Sequence, residues 1–179
     1  MTEDTDGYGR LLAALGYPDV EPAGRRLVRG VAERGLRSYG LLVDACNVVA
    51  LRYVAGIGLH DVDGRLDEKN EVAVTRSSGT EKIVPAFRNS TRVIPAGDLV
   101  YGIRSSDGFE PLAWLGKRDV DAAIGQVSEQ TRVALVVALG HDGLTVADTA
   151  RMCEEVVDLV IRRQRAAVAV PLHRVIATR

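Results

Sequence analysis

The run from Leu42 to Leu51 is almost entirely apolar, but it contains a carboxylate and an amide three residues apart, Asp44 and Asn47. That spacing places both side chains on one face of a helix. Because buried polar groups cost free energy unless they are paired, Asp44 is predicted to bond a facing turn. For Asn47 the sequence leaves two roles open: a similar structural role, or the orientation of a bound ligand by its amide. Cys46 falls in the middle of this mainly apolar helix with no cation beside it to lower its thiol pKa, which favours a small core residue over a nucleophile.

A second polar cluster follows, His60-Asp61-Val-Asp63. An imidazole beside two carboxylates has the chemistry of a general base near neutral pH. Asp63 and Gly64 equally have the chemistry of plain turn residues, with Asp61 capping a short helix. The two interpretations are evenly matched from sequence.

A third cluster begins at Trp114, the single tryptophan, which is followed by Lys117, Arg118 and Asp119. An aromatic residue with cations and a carboxylate at the end of a strand suits the rim of a pocket. Taken alone, a core tryptophan followed by a solvated charged loop is the favoured interpretation.

Helices are predicted in three places around these clusters. The first begins near Glu21 and Pro22, an acid and a proline that suit a helix start. The second spans 38–54 and is apolar on nearly all sides, so it is predicted to be central to the core. The third spans 145–165, is amphipathic and is capped by Thr145.

Short β-rich runs separated by Gly, Ser, Asn and Pro predict an antiparallel sheet with hairpin turns in the middle of the chain. These runs are 72–74, 83–85, 92–94, 99–103 and 112–115. The continuous apolar run 131–139 predicts a central strand buried on both faces. A closing strand is predicted over 167–177, with Pro171 at an edge or a bulge. Helices, then strands, then a helix and a strand define an α+β class.

The composition is that of a globular protein: 179 residues, 46% hydrophobic, 26% charged and a formal net charge of −1. It predicts an acidic lead over 1–20 followed by a single domain over 21–179. No apolar run approaches the length that crosses a bilayer, and the acidic start is unlike a targeting signal, so a cytoplasmic protein with no membrane partner is expected. Two Cys and three scattered His supply neither a disulfide framework nor a zinc site, so no metal is expected.

Arginine is far more frequent than lysine in this chain: of the 23 Lys and Arg residues, 3 are Lys. Arginine binds phosphate bidentately, so this excess is compatible with a nucleic-acid partner. A coding bias toward arginine is the favoured explanation, because the balanced net charge gives no overall basic footprint.

Taken in order, these clusters form a series that resembles the B3/B4 domain of the phenylalanyl-tRNA synthetase β subunit and, more closely, its free-standing relatives. The series is Leu42-Val-Asp-Ala-Cys-Asn-Val-Val-Ala-Leu51, Gly58-Leu-His-Asp-Val-Asp63, Thr75-Arg76 with Thr80-Glu81, Pro95-Ala-Gly-Asp-Leu-Val-Tyr101, Trp114 with Arg118-Asp119, and Ser128-Glu-Gln-Thr131. The resemblance covers roughly residues 25–140. It implies a three-layer β/β/α fold and, as in the synthetase domain, a pocket that hydrolyses the ester of a wrongly charged tRNA.

The resemblance also implies a site. Gly58 falls where the synthetase has a histidine, and His60 where it has an aromatic residue; Gly58 and Arg118-Asp119 follow the free-standing relatives. The implied substrate-binding residues are Cys46, Asn47, Gly58 and Thr131, and the implied catalytic residues are His60, Asp61, Arg118 and Asp119. A glycine at Gly58 would let backbone N–H approach a ligand closely.

The expected activity is trans-editing deacylation, in which His60 or Asp61 orients a water, Arg118 steadies the oxyanion or the terminal phosphate, and Asp119 holds the substrate ammonium. No metal or organic cofactor is needed. The expected partner is the aminoacylated 3′ end of tRNA carrying a small amino acid, bound through arginine clusters and weakened by salt. These clusters are Arg25, Arg26, Arg29 and Arg37, or Arg162, Arg163 and Arg165.

Two other functions stay open from sequence. A non-catalytic module would bind an amino acid, aminoacyl-tRNA or a protein through the same pocket. A small-molecule ester hydrolase would act without dependence on RNA or salt. The amino acid, the tRNA and the oligomeric state are not determined by the sequence.

Overall fold

A computed structural model describes residues 7–115, 119–170 and 176–177, and it confirms an α+β fold. The helices are α1 (Gly7–Ala14), α2 (Ala23–Arg34), α3 (Leu41–Tyr53) and α4 (Val146–Arg163). The strands are β1 (Ile57–Asp61), β2 (Glu71–Arg76), β3 (Lys82–Ile83), β4 (Arg92–Val93), β5 (Leu99–Ser105), β6 (Gly108–Leu115), β7 (Asp119–Asp121), β8 (Ala134–Ala138) and β9 (Ile176–Ala177). The described residues form two compact units: those of Met1–Leu59 and Val136–Val170 in unit 1, and those of His60–Leu135 and Pro171–Arg179 in unit 2.

Unit 1 is built on the packing of α3 against α4. Ala45, Cys46 and Val49 of α3 meet Met152 and Val156 of α4 in a buried cluster. The apolar run that predicted a core helix therefore does form the core of this unit. None of the helices in the described ranges is long and apolar enough to cross a membrane.

Two local features fix the helices of unit 1. Thr145 caps α4 through a reciprocal box, in which its hydroxyl accepts from the backbone N–H of Asp148 and the Asp148 carboxylate accepts from the backbone N–H of Thr145. This confirms the predicted cap. Gly24 lets α2 lie against the end of α3, because a Cβ at this position would overlap the carbonyl oxygen of Val54.

Unit 2 contains a five-stranded sheet in the order β7-β6-β5-β2-β9, antiparallel except for the parallel pair of β2 and β9. The register of β5 and β6 shifts between Tyr101 and Gly102, where the two backbones come too close for a Cβ on Gly102 to fit beside the Glu110 carbonyl. A glycine at a bulge is the expected solution to such an approach. The buried cluster on this sheet comprises Ile83, Ile94, Val100, Trp114 and Ala122.

The structure corrects two predictions about strands. The run 131–139 is not a central strand, because within the described residues β8 pairs with β1 alone, and of its residues only Leu135 is buried. Its apolar character has another cause: Val136 and Ala138 pack on the helical core of unit 1. The closing strand predicted over 167–177 is present only as β9; residues 167–170 are not strand, and Pro171 lies outside the described residues.

Candidate functional site

His60 lies on β1, and its side chain is completely buried in unit 2, with 0% exposure. Its Nε2 shares a hydrogen bond of 2.5 Å with the Tyr101 hydroxyl on β5. The two rings meet edge to face, with centroids 5.3 Å apart. This contact joins the end of β1 to the middle of the large sheet.

The other ring nitrogen of His60 is also buried, and it has no hydrogen-bond partner among the residues described. Gly125 lies beside it, since a Cβ at that glycine would stand 3.2 Å from His60 Nδ1. Burial lowers the pKa of His60 from 6.5 to about 4. A second proton on the ring would be a buried donor with no acceptor, so the imidazole is neutral at neutral pH.

Asp61, the next residue, turns a half-buried carboxylate toward Thr131. Its Oδ2 accepts a hydrogen bond of 2.7 Å from the Thr131 hydroxyl, and its Oδ1 accepts one of 3.0 Å from the backbone N–H of Asp63. Thr131 Oγ1 in turn accepts from the backbone N–H of Ser128 at 2.9 Å. The structure thus brings together two of the predicted site residues that are 70 positions apart in the chain. Asp61 does not cap a short helix, because residues 62–70 contain no helix; its carboxylate instead closes a local turn, and Asp63 and Gly64 lie in the turn residues that follow.

Trp114 is a core residue with 8% exposure, in agreement with the interpretation favoured from its sequence context. Its indole N–H donates to Asp98 Oδ2 at 2.9 Å. The backbone carbonyl of Asp98 accepts from the N–H of Ser77 at 2.8 Å, so Asp98 connects the core tryptophan to the turn that follows β2.

That turn contains a carboxylate that the sequence analysis did not single out as a structural centre, Glu81. Glu81 Oε2 accepts from the hydroxyl of the buried Ser77 at 2.7 Å and from the backbone N–H of Ser78 at 2.9 Å. Partial desolvation opposes ionisation of Glu81, but these hydrogen bonds outweigh it and lower its pKa from 4.5 to about 2. The Ser-Ser-Gly-Thr-Glu run is typical of turns in which side chains bond the backbone, so its signal was present in the sequence.

The predicted residues of α3 lie in unit 1. Asp44 accepts from the Ser38 hydroxyl at 2.5 Å and from the backbone N–H of Tyr39 at 2.8 Å, and these bonds lower its pKa. This confirms the predicted structural role. Cys46 is 5% exposed, and burial raises the pKa of its thiol to about 12, as befits a core residue. Asn47 is half-buried and makes no side-chain hydrogen bond within the described part of the chain.

The contacts of the three other predicted site residues, Gly58, Arg118 and Asp119, are not defined by side-chain geometry. Gly58 lies half-buried on β1 of unit 1. Arg118 lies outside the described residues. Asp119 is described only through its backbone, which pairs with Leu115 between β7 and β6. Roles for these residues stay predictions.

The arginines of α2 are largely engaged with acids and carbonyls. Arg29 pairs with Glu21 at 2.8 Å and with Glu33 at 3.5 Å, and Arg26 donates to the Glu21 carbonyl at 2.9 Å. Arg25 also has an interaction of its own, and Arg37 is exposed. The second predicted cluster, Arg162, Arg163 and Arg165, is exposed around the end of α4.

Across residues 7–115, 119–170 and 176–177, no group of three or more His, Cys, Asp or Glu side chains is placed to hold a metal ion.

Residues 11–169 match the family model of the B3/4 domain, which covers most of the chain. The protein therefore belongs to the B3/4 domain family, as the ordered set of motifs indicated. No protein with a curated description matches the chain.

Proposed function

We propose that this protein is a trans-editing deacylase that hydrolyses the ester between an amino acid and the 3′ end of a mischarged tRNA. The observation that carries the proposal is the Asp61–Thr131 pair: a half-buried carboxylate held by a threonine hydroxyl at 2.7 Å, directly after a buried histidine, in a member of the B3/4 family.

The chemistry asks little of the protein. An aminoacyl ester beside a ribose hydroxyl is already labile, so a positioned water and a stabilised oxyanion account for catalysis. The water oxygen bonds to the ester carbonyl carbon, and the bond from that carbon to the ribose oxygen breaks. The water proton passes to the leaving ribose oxygen, so the products are the free amino acid and a tRNA with a free hydroxyl.

In this scheme Asp61 accepts a hydrogen bond from the attacking water. Thr131 is a positioning residue, because it donates to Asp61 Oδ2 and leaves the remaining lone pairs for water. His60 is also a positioning residue: it is fully buried and its Nε2 is bonded to Tyr101, so it fixes the end of β1 and does not meet the ester. Arg118 and Asp119 keep the roles implied by the resemblance, at the oxyanion and the substrate ammonium.

The test is a panel of mischarged tRNAs incubated with the protein, with loss of the ester measured over time. Asp61→Asn is expected to lower the rate by at least about 100-fold, because a neutral amide oxygen is a much weaker acceptor than a carboxylate for the hydrogen bond from the attacking water. Thr131→Val is expected to cost about tenfold through misplacement of Asp61.

Asp63→Asn is the matched control. It makes the same chemical change two residues away, on an exposed side chain, and is expected to stay within about twofold of the wild type. Equal losses in the variants of Asp61 and Asp63, or no turnover of any substrate above a heat-inactivated sample, would contradict the proposal.

The runner-up is a non-catalytic module that binds an amino acid or aminoacyl-tRNA. The observation in its favour is that the histidine of the site is sealed from solvent and has a pKa of about 4, so it is not poised for proton transfer at neutral pH. Calorimetry with free amino acids and uncharged tRNA separates the two, because a pure binder holds its ligand without changing it.

A further inference from the structure

Phe87 occupies an unusual place in unit 2. It lies between β3 and β4, its side chain is 86% exposed, and its backbone has φ +61°, in the left-handed region. A bulky residue rarely adopts this conformation, and a large aromatic ring is usually buried. The only other phenylalanine, Phe109, packs against the core of the unit. A glycine would avoid both costs at this turn, so the exposed ring calls for an explanation.

The segment around Phe87 carries free positive charge. Lys82, Arg88 and Arg92 are exposed, and residues 82–97 contain no acid. Within the residues that the structure describes, these three side chains form no ion pair or hydrogen bond. In this they differ from the arginines of α2, several of which are held by Glu21 and Glu33.

The ring and the two arginines border one groove of about 370 Å³. Phe87, Arg88 and Arg92 line it together with Val120 and Asp121. The turn continues into the exposed residues Asn89, Ser90 and Thr91. An aromatic face, unpaired guanidinium groups and small hydrogen-bonding side chains are the features that bind single-stranded nucleic acid, by base stacking and phosphate contacts.

We propose that the hairpin 82–93 binds the unpaired 3′ end of tRNA, with one base stacked on Phe87 and the adjacent phosphates held by Arg88 and Arg92. The inference rests on the proposed function and names the surface of unit 2 that meets the RNA. Stacking tolerates any base, which suits a protein that must accept a single-stranded end. The polar residues beside the ring disfavour a membrane or an apolar protein partner, which would need a wider apolar patch.

The test is a binding titration, by fluorescence anisotropy, of uncharged tRNA with an intact 3′ end and of the same tRNA trimmed of its unpaired end. Phe87→Gly is expected to raise Kd for intact tRNA by about 5- to 150-fold, in line with loss of one stacked base. Phe87→Trp keeps a stacking face and is expected to stay within about threefold. With trimmed tRNA, Phe87→Gly and wild type are expected to bind equally.

The matched control is Val168→Gly, which removes another exposed apolar side chain, in unit 1, and is expected to leave Kd unchanged. The double variant R88Q/R92Q is expected to reduce the slope of log K against log salt by about 1.4, about 0.7 for each phosphate contact on a single strand. Because glycine readily adopts φ +61°, Phe87→Gly is expected to fold, which a thermal melt checks.

Unchanged binding by Phe87→Gly, an equal loss in Phe87→Trp, or the same loss with trimmed tRNA would overturn the inference. So would a wild-type protein that fails to bind tRNA. Uncharged tRNA contains no aminoacyl ester, so these binding results do not depend on hydrolysis. Binding that depends on Phe87 in a protein that deacylates no tRNA would refute the proposed hydrolysis and leave the RNA-binding surface in place. Deacylation by a protein whose tRNA affinity is unchanged by Phe87→Gly would refute the RNA-binding surface and leave the proposed hydrolysis in place.

Discussion

The buried imidazole of His60 makes the stability of unit 2 depend on pH in a range where few other groups titrate. Its pKa is about 4 in the folded protein and 6.5 when exposed in an unfolded chain. Between these values the unfolded chain binds the extra proton. Stability that is fully present above pH 6.5 is therefore lost as the pH falls toward 4.

The size of the effect follows from the shift. The difference of about 2.5 between the two pKa values corresponds to about 3.4 kcal/mol once the pH is below both. Part of this loss is already complete at pH 5, where the unfolded imidazole is almost fully charged and the folded one almost fully neutral. The expected fall in the free energy of unfolding between pH 7 and pH 5 is about 2 kcal/mol.

The assay is urea unfolding at pH 7, 6 and 5, followed by the fluorescence of Trp114, which lies in the core of the same unit as His60. His60→Gln removes the titrating ring and keeps a side chain that can bond Tyr101. It is expected to be less stable than the wild type at pH 7 but to lose little between pH 7 and pH 5. Tyr101→Phe keeps the imidazole buried, so its stability is expected to fall with pH as in the wild type.

Two results would refute this reasoning. One is an equal loss of stability between pH 7 and pH 5 in His60→Gln and in the wild type, which would assign the effect to other groups. The other is a His60 resonance in NMR spectra that titrates near 6.5, which would show that the ring is open to water.

Three further outcomes are expected. Glu81→Gln should lower the free energy of unfolding by about 1 kcal/mol at pH 7, after allowance for solvent screening. In urea titrations, the difference from the wild type should shrink as the pH falls from 4.5 to 2, because the wild-type carboxylate is protonated over that range. A difference that does not change with pH would rule out the carboxylate hydrogen bonds as its cause. On α2, Gly24→Ala should destabilise by about 1–3 kcal/mol through overlap with Val54. Gly30→Ala on the same helix, which meets only the flexible end of an arginine, should be neutral or stabilising by up to about 1 kcal/mol; thermal melts in which both behave alike would disprove the close backbone approach. The Cys46 thiol should react with a disulfide reagent only on unfolding, and rapid labelling of that residue in the native protein, located by mass spectrometry, would show that it is not buried.

Much of the local structure could be predicted from the sequence because its causes are local. The 38–54 prediction closely matches α3, and Thr145 begins α4 through a cap formed within one turn. The prediction of a central strand over 131–139 was wrong, because an apolar pattern indicates that a segment is buried but not how many strands pair with it.

The candidate site could be predicted only in part, because sequence patterns do not reveal which distant residues meet. The sequence marked His60, Asp61 and Thr131, but the bonds of His60 to Tyr101 and of Asp61 to Thr131 depend on contacts between distant parts of the chain. The positive φ of Phe87 carries no local signal either, since glycine or asparagine would be expected at such a position.

The chain passes from unit 1 to unit 2 within β1 and returns within β8. On the helical side, the Leu139 N–H donates to the Gly56 carbonyl at 3.0 Å; on the other side, the Val62 N–H donates to the Val133 carbonyl at the same distance. Hydrogen bonds just before β1 and just after it therefore hold the chain beside the residues that flank β8. Residues 60–135 are nevertheless not a self-contained insertion, because β9, which comes after α4 in the chain, pairs with β2 in the sheet of unit 2. Removal of the whole segment would leave β9 without its partner strand, whereas a change in the length of a loop inside the segment costs little, because the entropy of loop closure rises only slowly with loop length.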